Sequence, residues 1–63
     1  MSIPDIMTVP QMAEYLQIGK NSAYALISSG LIPSVKIGRQ IRIYREDVLT
    51  FLFKQKQELR KNI

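Results

Sequence analysis

The chain has 63 residues, 46% of them hydrophobic and 22% charged, with nine Lys and Arg against five Asp and Glu for a net charge of +4. That length allows one domain with a core near the smallest that folds unaided, and the composition is that of a globular domain rather than a disordered tail. With neither Cys nor His present, disulfide frameworks and structural zinc are excluded, and apolar burial must supply the folding energy.

No apolar run approaches the roughly eighteen residues of a membrane span. The opening MSIPDIM lacks a basic segment followed by an apolar one, so a cytoplasmic chain with no membrane partner is expected. Pro4 argues against early helix, and residues 1–7 read as a flexible, extended lead-in.

Thr8 is then a helix N-cap, with Gln11 completing a capping box and Pro10 tolerated in the first turn. Val9, Met12, Ala13 and Leu16 follow at the spacing of one buried helical stripe. Gln17, Ile18 and Gly19 interrupt the pattern for three residues, the turn length of a helix-turn-helix unit, with Ile18 at the corner and Gly19 capping the next helix.

The second helix occupies residues 20–29, with Ala23, Leu26 and Ile27 facing inward. Its other face carries Lys20, Asn21, Ser22, Tyr24, Ala25 and Ser28, small and polar without any acid. Tyr24 has two readings, a ring capping the edge of the core or a hydroxyl turned outward to a ligand such as a phosphate, and the second is favoured. Gly30 suits the left-handed residue after a helix, Leu31 and Ile32 return to the core, and Pro33 blocks further helix.

Residues 34–44, SVKIGRQIRIY, alternate as a β-hairpin. A two-residue turn at Gly38-Arg39 would mix the faces. A three-residue loop, Gly38-Arg39-Gln40, pairs Ile37 with Ile41 and Val35 with Ile43, keeping four aliphatics together, and is the register expected. It sets Lys36 opposite Arg42 on the outer face, a mild repulsion that a phosphate between them would relieve. Arg45, Glu46 and Asp47 open the last helix, the two acids complementing its dipole. Val48, Phe51, Leu52, Gln55 and Leu59 form its covering stripe, while Leu49 and Phe53 are either further core or a contact surface for another copy or a partner protein. From Lys54 to Ile63 the chain reads as a polar, basic helical extension that frays.

The charge is unevenly placed. No acid lies between Tyr15 and Arg45, where Lys20, Lys36, Arg39, Arg42 and Arg45 all fall. Such a block is either a solvated basic face or a phosphate-binding surface. Without His, Cys or a second acidic cluster beside Glu46 and Asp47, no catalytic set is expected, nor any cofactor.

The elements are thus helix, turn, helix, two-stranded wing and covering helix: an α+β, mostly helical fold over residues 8–53. In this order the chain resembles the excisionase-type helix-turn-helix domains, small relatives of the MerR-like winged-helix group. The resemblance runs from Met7 to Leu52 and rests on Thr8-Val9, Ala13-Glu14-Tyr15-Leu16, Ser22-Ala23-Tyr24 and Gly30-Leu31-Ile32-Pro33. It continues through Val35-Lys36-Ile37-Gly38-Arg39, Ile41-Arg42-Ile43 and Arg45-Glu46-Asp47-Val48. It implies sequence-specific binding of double-stranded DNA, with the second helix in the major groove and the wing on the backbone or minor groove. The contacts it implies are Lys20, Asn21, Ser22 and Tyr24 from the helix and Lys36, Arg39, Gln40 and Arg42 from the wing.

The resemblance further implies a recombination directionality factor of a prophage or mobile element, working with an integrase or recombinase and with adjacent copies of itself on DNA. A small prophage-type transcriptional regulator is the alternative, and a protein-interaction module using Leu49 and Phe53 a second. Three positions depart from the pattern: Gln17 where glycine commonly ends the first helix, Gly19 in place of a Ser or Thr cap, and Ala25 where a long basic residue is common.

Overall fold

The computed structural model describes residues 5–61, with side chains described as far as Glu58. The elements in order are strand β1 (Ile6–Met7), helix α1 (Val9–Leu16), helix α2 (Lys20–Ser28), strands β2 (Val35–Ile37) and β3 (Gln40–Tyr44), and helix α3 (Arg45–Lys61). This is the expected winged helix-turn-helix, with one strand added. Ile6–Met7, expected in a flexible lead-in, pairs antiparallel with β3 (Ile6 with Tyr44, Met7 with Ile43) to give a three-stranded sheet ordered β1-β3-β2. Two apolar residues between a proline and a helix cap are too short a run to show alternation. Residues 1–4 of the lead-in lie outside the described residues, as do 62–63 at the end of the extension expected to fray.

The capping box at α1 forms as its spacing requires. The Thr8 hydroxyl accepts from the Gln11 N–H at 3.2 Å, and Gln11 Oε1 accepts from the Thr8 N–H at 2.9 Å. Met7 and Met12 occupy the flanking staple positions, and both are buried. Strand β1 is thereby tied to the helix that follows it, and a cap of this kind stabilises by about 1 kcal/mol.

Both helices of the unit end in paired backbone bonds around a left-handed residue. At α2 this residue is Gly30, with φ +82°, while the Leu31 and Gly30 N–H groups donate to the carbonyls of Leu26 and Ile27, both at 3.1 Å. At α1 it is Gln17, with φ +58°. The Ile18 N–H donates to Ala13 at 2.9 Å and the Gln17 N–H to Glu14 at 3.1 Å. The arrangement is the Schellman motif twice over, once with glycine and once with a side chain that crowds its own carbonyl. Gly19 then caps α2 with extended backbone and no side-chain bond.

Among the described residues eight apolar ones are buried: Met7, Val9, Met12, Ala13, Ala23, Ile32, Ile43 and Val48, with Leu16, Ile18, Leu26, Ile27, Ile41 and Phe51 packed against them. Helices α1 and α3 both pack on β3. Leu31, expected to return to the core, is 56% exposed, and the adjacent Ile32 alone enters it. Within the covering stripe of α3, Val48 is buried and Phe51 half-buried, whereas Leu52 and Gln55 are exposed and the Leu59 side chain lies outside the described residues.

The hairpin register differs from the expected one. Val35 pairs with Arg42, Lys36 with Ile41 and Ile37 with Gln40, around a two-residue turn at Gly38-Arg39. Grouping four aliphatics stabilises only where a core receives them. Every residue of β2 is exposed, so alternation had no hold on that strand. Turn chemistry decides instead. Gly38 has φ +61° and Arg39 has no positive φ, the pattern of a II′ turn with glycine at its first central position, whose twist matches paired strands.

The strain at Gln17 is directly measurable. Gln17→Gly is expected to raise stability by about 0.5–1 kcal/mol, or Tm by roughly 3–6 °C, because relief of the left-handed penalty exceeds the added freedom of the unfolded chain. Gln17→Val should lower Tm; thermal unfolding followed by far-UV circular dichroism reads both.

Candidate nucleic-acid interface

Helix α2 presents Lys20, Asn21, Ser22 and Tyr24 to solvent, all four exposed, while Ala23 is fully buried. Ala23 fixes the helix rotation: with its methyl in the core, Asn21 and Ala25 fall on the far side, Ser22 and Tyr24 flank it, and Lys20 is exposed in the first turn. Tyr24 keeps 46% of its surface exposed, so its ring does not close the core. Ala25 and Ser28 are exposed on the same helix and add no charge.

The two-residue turn changes the wing. Cross-strand partners share a face, so Gln40, Arg42 and Tyr44 lie with Val35, Ile37 and Ile6 on the outer side. Ile41, Ile43 and Met7 take the core side, with Lys36 opposite Ile41. Lys36 and Arg42 therefore do not face one another across the strands, and the expected like-charge pair does not exist. The cations are instead distributed around the hairpin, Lys36 on one face, Arg42 on the other and Arg39 in the turn. Arg39, Gln40 and Lys36 are exposed and Arg42 is half-buried. The Arg42 guanidinium donates to the Ile41 carbonyl at 2.9 Å and to Gln40 Oε1, so part of its donor capacity serves the hairpin itself.

Arg45 is likewise engaged. Its guanidinium lies 3.0 Å from the Asp5 carboxylate, and its N–H donates to the Asp5 carbonyl at 2.9 Å. With both side chains solvent-accessible, the ion pair is worth no more than about 1 kcal/mol, but the backbone bond gives the first N–H of α3 a partner. Of the five cations in the acid-free stretch, Lys20, Lys36 and Arg39 make neither an ion pair nor a side-chain hydrogen bond with described residues.

Leu49 and Phe53, the candidate protein contacts, are 43% and 62% exposed on α3. Leu52 borders an apolar groove shared with Leu16, Ile18, Leu26 and Phe51, and Ser22 and Ala25 reach its rim. Among the described residues, no three His, Cys, Asp or Glu side chains gather to hold a metal ion, and no helix is long and apolar enough to cross a membrane. Sequence reasoning missed the outward placement of Val35 and Ile37; glycine in the first position of a Gly-Arg turn was the available signal.

A family model described as "Helix-turn-helix domain" matches residues 6–56, from β1 to well along α3. The chain belongs to the helix-turn-helix domain family. Among curated relatives of this helix-turn-helix chain, "Probable excisionase" of Saccharopolyspora erythraea is 48% identical over 40 residues, covering 64% of this chain and 41% of that protein. Rv0500A of Mycobacterium tuberculosis (strain H37Rv), named provisionally as a DNA-binding protein, is 30% identical over 43 residues, 68% of this chain and 55% of its own. "Uncharacterized protein YvgK" of Bacillus subtilis is 37% identical over 41 residues, 65% of this chain and 13% of its own. The helix-turn-helix chain thus spans between 13% and 55% of the length of these relatives. No solved structure matches it.

Proposed function

We propose that this helix-turn-helix chain binds double-stranded DNA sequence-specifically, with α2 in the major groove and the wing on the backbone or minor groove. The observation that carries this reading is the exposed face of α2. The second helix of the unit turns Lys20, Asn21, Ser22 and Tyr24 to solvent, within a stretch from Tyr15 to Arg45 that contains no acid. An acid-free helix face with an amide able to bond adenine in two places beside Lys20, in a chain whose hairpin is tipped by Arg39, has what groove reading and phosphate neutralisation require.

Lys20, Lys36 and Arg39 supply the sequence-independent hold, and Arg42 contributes less because its guanidinium is partly spent within the hairpin. Asn21, with Ser22 and Tyr24 beside it, supplies the discrimination. The role that fits is that of an excisionase, an architectural factor acting beside an integrase and with neighbouring copies of itself. The 48% identity to "Probable excisionase" supports it, and so does a helix face too short to hold DNA tightly alone. Leu49 and Phe53 are the surface we assign to a protein partner in such an assembly.

Two substitutions separate hold from choice. Arg39→Ala is expected to weaken binding to all duplexes alike and to reduce the slope of log affinity against log salt by about one. Asn21→Ala is expected to cost about 1–3 kcal/mol on the preferred duplex and little on others. Fluorescence anisotropy across a salt series reads both. An unchanged slope for the first takes the wing out of the interface, and an unchanged preference for the second takes Asn21 out of the reading set.

A further inference from the structure

The wing carries two aliphatic side chains that the fold does not use. Ile37 is 62% exposed and Val35 38% exposed, both on the sheet face opposite Ile43. Single exposed aliphatics are ordinary, but these two are placed. Ile37 is the last strand residue before the Gly38-Arg39 turn, and Val35, two residues before it, lies on the same face. Around them stand Lys36, Arg39 and Arg42, with Gln40 directly across from Ile37 and no acid in either strand or the turn.

An apolar tip set among cations is complementary to a surface that is anionic at its rims and apolar between them. A protein surface of that kind would need acids arranged around an apolar floor. The minor groove of duplex DNA has it by construction, with phosphates on both edges and sugar faces and base edges inside. Aliphatic side chains entering that groove can part a base step and bend the duplex. We infer that Ile37, backed by Val35, is an apolar wedge by which the wing enters the minor groove and bends the DNA. This rests on the DNA-binding reading above and adds contacts that are neither polar nor basic. The turn positions the wedge: in the three-residue register Ile37 would have faced the core side with Ile41. The step it opens is expected to be a flexible pyrimidine–purine step, the one that kinks at least cost.

The test uses a duplex that the wild-type protein itself selects from a random-sequence pool. Affinity is followed across salt concentrations, and bending by energy transfer between dyes at the two ends. Ile37→Ala is expected to reduce the bend and to weaken binding roughly tenfold, with the salt slope unchanged because no cation is lost. Ile37→Lys discriminates by sign. A wing that works through charge alone would bind more tightly and with a steeper slope, whereas the wedge requires weaker binding and a lost bend despite the added charge. Ile37→Leu should retain both. Because Ile37 is exposed, circular dichroism melts of the three variants should match the wild type, and they are measured alongside. Wild-type bending by Ile37→Ala overturns the inference, as does tighter binding by Ile37→Lys, and either leaves the DNA-binding reading standing. A wild-type protein that selects no duplex removes that reading, and the wedge with it.

Discussion

Strand β3 is the constraint on which the rest of the structure depends. It is the only described strand with a partner on each side, and α1 and α3 both pack on it. Its Ile43 is fully buried opposite Met7, and α3 follows Tyr44 without a loop. Among the described residues the eight buried ones come from both helices of the unit, the β1–β3 pair, α3 and Ile32 in the connecting loop. The position of α2 follows from this. Ala23 sits in the core that Met12, Ile43 and Val48 share, and the exposed face of α2 is positioned by residues that are themselves buried.

The same strand also carries the wing. Alternation sends Ile41 and Ile43 inward and Gln40 and Arg42 outward, so core and candidate interface are separated by one residue. A one-residue shift in β2 leaves β3 untouched and reverses every side chain of β2. The distribution of cations and the exposure of Ile37 therefore depend on the turn at Gly38-Arg39 rather than on the core. Where burial does not decide a register, the local conformational preference of one glycine does.

Much of the fold was legible in the sequence because its signals were local. The Thr8-Gln11 box, the Val9/Met12/Ala13 stripe, the Gly30 stop and the fit of α2 to Lys20–Ser28 each rest on residues within one or two turns of helix. What was not legible required knowledge of what lies opposite. Strand β1 is two residues long and exists through its partners Tyr44 and Ile43. Leu31 and Ile32 are equally apolar, and the Gly30 turn selects which enters the core. Alternation in the hairpin specifies an inner face only where a core meets it, and exposed β2 meets none. At the candidate site the exposed helix residues were legible from the burial of Ala23. The separation of Lys36 from Arg42 and the internal bonds of Arg42 were not, since both follow from the turn.

We propose that the outer face of α2 and the wing form one surface for duplex DNA, positioned by the core that Ala23 and Ile43 share. An amide-resolved NMR titration of the full chain with a selected duplex tests it most directly. The amides of residues 20–24 and 36–42 are expected to be perturbed together, at the same DNA equivalence, with Leu49 and Phe53 unperturbed. Perturbation centred on Leu49 and Phe53, with residues 20–24 silent, would contradict it.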